Sequence, residues 1–230
     1  MKDSGKLLQT VHTGMFNAGL DVNAIYARIG FDSRKLSEQE LRTPNELQAA
    51  FWQVVESVSG DPDIGLHLCP HLPLYRGEVI DYLFLSSPTF LDGCKRSFKY
   101  LRLVGDALNV RLDERPDGSY AATVEMGSGS LAPSLRHSEI CVVYSVIQFV
   151  HSMTGKYFRP PQYVKLRCSR RSPLEDYERA FGCPVSFDNA ETMIGFDRAL
   201  LEYRSPYGDP ELMRLHEELA EKRLSRDRKS

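Results

Sequence analysis

Two short stretches of the chain hold side chains that could bind a small anionic molecule. The first runs from His71 to Gly77 and offers an imidazole, a phenol and a guanidinium at His71, Tyr75 and Arg76. A pocket for a small carboxylate needs an apolar wall and one or two cationic or hydroxyl groups that hold the head of the ligand. These three side chains lie between two helical stretches and are candidate ligand-binding residues.

The second stretch opens the most apolar helical segment, which the pattern places from Ser134 to Met153. Arg136 and His137 lie in its first turn, where a helix N-terminus already favours an anion. Tyr144 follows about two turns further on, near the face that carries His137. We therefore expect Arg136, His137 and Tyr144 to contribute to the same ligand pocket. The alternative is that the tyrosines belong to the core and the arginines are surface charges.

A metal site is the less favoured interpretation of the segment His67-Leu68-Cys69-Pro70-His71. Histidine and cysteine are the ligands that zinc prefers. However, Pro70 interrupts the helix, and no second ligand pair follows at the spacing of a zinc finger. We expect no metal and no cofactor.

An enzyme is also less favoured. Cys183 could in principle meet His137 or His151, but the sequence lacks the GxSxG, HExxH, GxxxxGK[ST] and GxGxxG motifs. Chance proximity of a cysteine and a histidine is expected among five cysteines and six histidines. We assign no catalytic residue.

The composition argues against a chain that binds nucleic acid or a membrane by itself. The 230 residues carry a net charge of −2, which gives no overall attraction to polyanions. The most apolar stretch, Ile140 to Val150, is about half the length that crosses a bilayer. The N-terminus lacks the apolar core of a signal peptide, and the five cysteines are widely spaced, as expected for free thiols in the cytoplasm.

The spacing of apolar residues predicts helices in the first third of the sequence. Leu7, Leu8, Val11 and Met15 share one helical face, and Asp21 is a candidate cap for a second helix. This pair resembles a helix-turn-helix but holds few basic residues, so a packing bundle is favoured. The segment Thr43-Pro44-Asn45-Glu46 has the arrangement of a capping box and predicts a helix that begins there.

The later part of the chain predicts a small sheet. Residues 108–112 and 120–126 alternate apolar and polar side chains, and Pro116-Asp117-Gly118-Ser119 between them is typical of a tight turn. The helix of residues 134–153 follows, then further short strands around one more helix. We predict an α+β fold: an N-terminal helical bundle, then a small mostly antiparallel sheet packed against a central buried helix.

Asp209-Pro210 opens a final charged helix. Its apolar positions include Leu212, Leu215 and Leu219, whose spacing permits a short helix–helix contact. The sequence predicts three parts: a helical subdomain over 1–75, an α+β core over 76–205 and this helix over 206–230.

The ordered set of segments resembles the N-terminal effector domain of AraC/XylS-type transcription regulators, in particular the ornithine-utilisation-regulator-like branch. The residues that carry the resemblance span nearly the whole chain. They are Gly77–Thr89 (GEVIDYLFLSSPT), the helix Leu91–Val104, Met153-Thr154-Gly155, Tyr177–Pro184 followed by Val185 (YERAFGCPV), Phe196–Leu201 (FDRALL) and Asp209–Leu212 (DPEL).

The resemblance implies a binding domain rather than an enzyme. Its ligand would be a small effector such as a fatty acid, an amino acid or another carboxylate. The last helix would connect this domain to a DNA-binding domain. It would also hold two subunits together as a homodimer through Leu212, Leu215 and Leu219. Such regulators bind DNA through a C-terminal domain with two helix-turn-helix motifs, which this sequence lacks, so we expect no DNA binding by the chain itself. The alternative is a ligand-free protein–protein module that uses the final helix or the basic face of residues 95–102.

Overall fold

The computed structural model describes residues 2–38, 41–74, 78–126 and 132–227. The predicted α+β class is confirmed: a helical bundle comes first, and a five-stranded sheet with a long buried helix follows.

The N-terminal bundle packs around its own apolar core. Its elements are β1 (Lys2–Ser4), α1 (Gly5–Asn17), α2 (Val22–Ile29), β2 (Arg42–Pro44), α3 (Leu47–Ser59) and α4 (Ile64–Leu68). Met15, Ile25, Trp52 and Val55 are buried together in this core. Asp21 caps α2 as predicted, because its carboxylate accepts a hydrogen bond from the Ala24 amide.

The predicted capping box at Thr43 is wrong. Thr43 lies in β2 and pairs with Asp3 of β1, so its backbone is extended and committed to a strand ladder. The helix begins later, at Leu47, and Glu46 before it makes no side-chain capping bond. Pairing with the N-terminal strand β1 therefore overrides the local capping signal.

The sheet has the strand order β3-β4-β7-β5-β6, with β3 (Leu108–Glu114), β4 (Tyr120–Met126), β5 (Tyr163–Lys165), β6 (Val185–Ser186) and β7 (Thr192–Phe196). The predicted hairpin is present, since β3 and β4 pair antiparallel from Leu108↔Met126 to Glu114↔Tyr120. Only the pairing of β5 with β6 is parallel among the pairings of this sheet in the described chain. The sheet is therefore mostly antiparallel, as expected.

The central helix α7 (Leu135–Thr154) belongs to two cores at once. Near its N-terminus, Cys141 is buried with the residues of the helical bundle. Further along, Val143, Ile147 and Val150 pack against the inner face of the sheet. Helix α4 also belongs to both cores, since Ile64 and Leu68 lie in the bundle core and Leu66 lies in the core of the sheet, so α4 and α7 join bundle and sheet.

Four short helices and a last long one complete the fold in the described residues: α5 (Val79–Ser86), α6 (Phe90–Ser97), α8 (Leu174–Phe181), α9 (Arg198–Leu201) and α10 (Pro210–Asp227). Helix α6 ends at Ser97, and a 3-10 segment (Phe98–Leu103) replaces the rest of the predicted helix 89–104. Ala220 and Leu224 of α10 are buried in a third apolar cluster with residues of α5.

Helices α4 and α7 approach so closely at Gly65 that a larger residue does not fit. A Cβ added to Gly65 would lie 2.6 Å from the His137 Cα, which is backbone and cannot move aside. We expect Gly65→Ala to lower the free energy of unfolding by about 2 kcal/mol, as overpacking does. The measurement is chemical denaturation. Gly14→Ala is the matched comparison, because its new Cβ would meet the end of the flexible Leu72 side chain and should cost less. Equal effects would contradict this account.

Candidate functional site

A half-open groove runs along the C-terminal half of α7. Its volume is about 400 Å³, within the range of small-molecule pockets. The segment Leu72–Leu74 forms one wall and the helix forms the other. The lining residues are Leu72, Pro73, Leu74, Tyr144, Ser145, Gln148, His151, Ser152 and Gly155.

The two walls of the groove differ in chemistry. Leu72, Pro73 and Leu74 supply apolar surface. The residues of α7 supply hydroxyl, amide and imidazole groups because positions 144, 145, 148, 151 and 152 fall on one helical face. An apolar wall opposite a row of hydrogen-bonding groups suits a small amphipathic molecule.

Two side chains at the groove have a defined environment. Burial raises the pKa of the Tyr144 phenol, which keeps it protonated and able to donate a hydrogen bond. His151 is exposed, and its ring stacks on Phe158 with centroids 4.3 Å apart. Tyr144 is the only one of the six predicted ligand-binding residues among the described residues that line this groove.

The other members of the first predicted stretch lie beside the groove or outside the described chain. His71 ends the 3-10 turn Cys69–His71 directly before Leu72, and its side chain is exposed. Its carbonyl oxygen accepts a hydrogen bond from the Asn17 side-chain amide at 3.1 Å. Tyr75 and Arg76 lie outside the residues that the structure describes.

Arg136 and His137 are not brought to the groove. They lie in the first turn of α7, and His137 precedes Tyr144 by seven residues, a rise of about 10 Å along the helix. The Gly65 amide donates to His137 Nδ1 at 3.1 Å. His137 therefore carries its proton on Nε2, which donates to a Glu56 carboxylate oxygen at 3.0 Å. Both ring nitrogens are occupied within the protein.

A buried polar cluster surrounds this histidine at the junction of bundle and sheet. Arg136 is only 7% exposed, and its Nη2 lies 3.6 Å from Glu56 Oε2. Its Nε and Nη2 make no hydrogen bond in the structure, nor does Asp63 Oδ1 nearby in the same cluster. The second Asp63 oxygen accepts a hydrogen bond from the Tyr177 hydroxyl.

Glu139 is the best-compensated charge of the cluster. It is fully buried on α7, and its carboxylate accepts hydrogen bonds from the backbone amides of Arg167 and Cys168 and from the Thr192 hydroxyl. Three donors offset the cost of burying the charge. The sequence analysis missed Glu139, Asp63 and Tyr177. A carboxylate inside the most apolar helix was the signal that could have found Glu139.

The cysteines near the cluster are not activated nucleophiles. The thiols of Cys69 and Cys141 both donate to the Gly65 carbonyl oxygen, at 3.3 and 3.4 Å. Burial raises the pKa of Cys69, and it raises that of Cys183 to about 11. Within the described residues, no three side chains of histidine, cysteine, aspartate or glutamate are grouped closely enough to hold a metal ion. No helix in the described chain is long and apolar enough to span a membrane.

Comparisons with known proteins agree with this architecture. The family model described as the N-terminal arabinose-binding domain of AraC transcription regulators matches residues 19–205. Among solved structures, the transcriptional regulator CdpR from Pseudomonas aeruginosa has a similar fold, with a TM-score of 0.61 and 14% sequence identity. The match covers 85% of this chain and 59% of the CdpR chain. No curated protein sequence matches the chain.

The fold and the family match together define an N-terminal domain of a transcription regulator. The chain belongs to the family of arabinose-binding N-terminal domains of AraC transcription regulators. This family consists of regulators rather than enzymes. The assignment to the ornithine-utilisation-regulator-like branch is not tested by either match.

The His137 environment predicts how stability depends on pH. Burial, opposed by the Glu56 bond, lowers the pKa of His137 below its ordinary value of 6.5. Below about pH 6.5 the unfolded chain therefore binds the proton more readily, so the free energy of unfolding should fall as the pH falls through this range. In His137→Gln this part of the dependence should disappear in denaturation curves from pH 5 to 8. The exposed His151→Gln is the control, and a His137 variant that keeps the full wild-type slope would refute the assignment.

Proposed function

We propose that this chain is the effector-sensing domain of an AraC-type regulator and that the effector binds in the α7 groove. The observation that carries the proposal is the groove itself: apolar residues Leu72–Leu74 face a polar stripe on the long helix α7, which packs in both cores. A ligand held between these walls contacts a helix that packs against both the bundle and the sheet.

The lining favours a small effector with an apolar body and a hydrogen-bonding head. The Tyr144 hydroxyl and the Gln148 amide can bind a carboxylate or a neutral polar group, and Leu72 and Leu74 contact the apolar part. Fatty acids, amino acids and other carboxylates remain the proposed classes. Tyr75 and Arg76, which follow Leu74 directly in sequence, stay proposed contacts of the head group. His71 beside the groove, and Arg136 and His137 in the buried polar cluster, are better supported as structural residues.

The chain offers a short path from the groove to the last helix. Four residues separate Leu74 from Val79, where α5 begins. Helix α10 packs on α5, and polar contacts fix it there: His216 bonds Ser86 at 3.1 Å, and Arg223 lies 3.8 Å from Glu78. Binding that shifts the segment Leu72–Leu74 would be transmitted to α10, provided that the effector prefers one of two arrangements.

Helix α10 also supports a homodimer. Leu212, Leu215 and Leu219 lie on its outer face and are 47%, 46% and 40% exposed. Their spacing forms a stripe that lies on a different face of the helix from the buried Ala220 and Leu224. We propose that the same stripe of a second subunit covers it.

The division into a bundle (1–75), an effector core (76–205) and a dimerisation helix (206–230) is part of this proposal, as is a cytoplasmic location. DNA would be bound by a separate C-terminal helix-turn-helix domain. The chain spans 59% of the length of the CdpR structure, so the activity of a whole regulator is likewise proposed here.

The exposed leucine stripe favours a second candidate, a dimerisation module without a ligand. The basic face of residues 95–102 fits a partner surface less well, since Arg96 bonds Glu217 at 2.8 Å and Arg102 lies 3.7 Å from Asp106. In this case the oligomeric state would not respond to any small molecule.

Filling the groove tests effector binding. In Gln148→Trp a large ring would occupy the space between α7 and Leu72, and we expect thermal stabilisation by an effector to disappear. The experiment screens the wild-type chain against fatty acids, amino acids and aromatic acids, and then compares variants with each responding compound. Gln53→Trp on the exposed side of α3 is the matched control and should respond like the wild type. Unchanged binding to Gln148→Trp, or no response to the whole panel, would overturn the proposal.

A charge in the leucine stripe tests the dimer. We expect Leu215→Glu to weaken association at least about tenfold, because a buried unpaired carboxylate costs more than 1.4 kcal/mol. Sedimentation equilibrium measures the dissociation constant. Leu47→Glu, at a leucine that is 58% exposed on α3, is the matched control. A wild-type chain that stays monomeric at every concentration, or equal effects of both variants, would contradict the dimer.

A further inference from the structure

The outward face of the sheet, opposite α7, carries a second and shallower depression. It encloses about 620 Å³ between the β3–β4 turn and the start of β5. Arg115, Ser119, Gln162, Tyr163 and Lys165 line it. Neither the groove nor the leucine stripe uses any of these residues.

Strand register explains why charges collect on this face. Arg111, Thr123, Met193 and Lys165 are successive partners across β3, β4, β7 and β5, so their side chains share one face. The alternate row of Leu112, Ala122, Ile194 and Val164 points to the core instead. The outward row therefore carries one cation at Arg111 and another at Lys165, which is followed by Ser186 on the edge strand β6.

Arg111 and Lys165 have different electrostatic surroundings. Arg111 forms ion pairs with Asp113, Glu125 and Glu191 at 2.8 to 3.4 Å and is fully compensated. Lys165 has no acidic partner among the described residues, and its ammonium lies 5.5 Å from the centre of the Tyr163 ring.

Arg115 adds a second cation to the lining of the depression. Its Nη2 lies 3.8 Å from the Met193 sulfur, and Met193 is the strand partner of Lys165. Arg115 likewise makes no ion pair within the described chain. Two cations thus border the same residue, and neither forms an ion pair with a described residue, so an anion bound between them would relieve their mutual repulsion.

Among the described residues that line the depression, Asp117 supplies the only carboxylate, and this carboxylate already accepts hydrogen bonds within the turn. Asp117 accepts hydrogen bonds from the Ser119 amide at 2.9 Å and from the Ser119 hydroxyl at 2.6 Å. These bonds, more than the nearby Arg115 charge, lower the pKa of Asp117. Asp117 shapes the turn and leaves one positive charge in excess around the depression.

The backbone that carries these groups is held in place. The Arg115 amide donates to the Ser119 carbonyl and the Gly118 amide to the Arg115 carbonyl, both at 2.8 Å, with Gly118 at φ +82°. On the other side the Tyr163 ring lies against the backbone of Gly195, where any Cβ would collide with it. The cations therefore project from fixed points, as a preorganised site requires.

We propose that this depression binds a dianionic group, with a phosphate monoester as the ligand class. The planar Arg115 guanidinium would hold two phosphate oxygens, and Lys165 would act as a point charge on the third. Gln162 and Tyr163 would supply neutral hydrogen bonds. The sheet separates this site from the α7 groove, so the proposal does not depend on the sensor function.

Titration with inorganic phosphate, followed by amide chemical shifts, tests the site. Chloride at equal ionic strength is the reference, and acetate is the monoanion arm. We expect saturable shifts in residues 115–119 and 162–165, weaker binding of acetate, and no change in residues 144–152. The variant Arg115→Gln/Lys165→Gln should bind phosphate at least about tenfold more weakly, since two charge-assisted contacts are lost.

Lys95→Gln, which removes an exposed cation on α6, is the matched control and should bind like the wild type. Shifts that stay linear, that match those of chloride, or that persist in the double variant would overturn the proposal. Shifts confined to residues 144–152 would place the anion in the groove and would overturn it as well. Arg115→Lys, which keeps the charge but not the planar fork, should retain part of the affinity.

Discussion

The close approach of α4 and α7 at Gly65 and His137 is the contact on which the rest of the structure depends. It lets one helix complete two cores, with Cys141 in the bundle and Val143, Ile147 and Val150 against the sheet. The Gly65 amide fixes the tautomer of His137, and His137 in turn holds Glu56. A displacement of α7 therefore changes contacts in both parts of the fold.

This arrangement explains why the groove is well placed for sensing. The polar stripe of α7 from Tyr144 to Ser152 faces the segment Leu72–Leu74, which links the bundle to α5 and hence to α10. The stripe lies on the C-terminal half of α7, whereas Arg136, His137 and Glu139 lie on its N-terminal half. A ligand can thus contact the helix without having to displace the tightly paired Glu56, His137 and Glu139.

Periodic elements could be predicted from the sequence, and contacts between distant segments could not. The hairpin 108–126, the central helix and the cap at Asp21 follow from alternation, helical spacing and turn chemistry, all of which are local. The β1–β2 pair could not be predicted, because Thr43 has a good capping pattern and only its pairing with Asp3 decides otherwise. Tyr144 could be placed near a pocket from helical spacing. The buried position of Arg136 and His137 depends on Glu56, Asp63 and Gly65. These residues are more than seventy positions away in the sequence.

Hydrogen exchange with a responding effector is the most direct test of the central claim, that a small molecule binds between α7 and Leu72–Leu74. The account predicts that the effector slows amide exchange in residues 72–74 and 144–155, with a smaller change in α10. Protection confined to the buried cluster around Asp63 and Arg136, or exchange that no effector alters in residues 144–155, would contradict it.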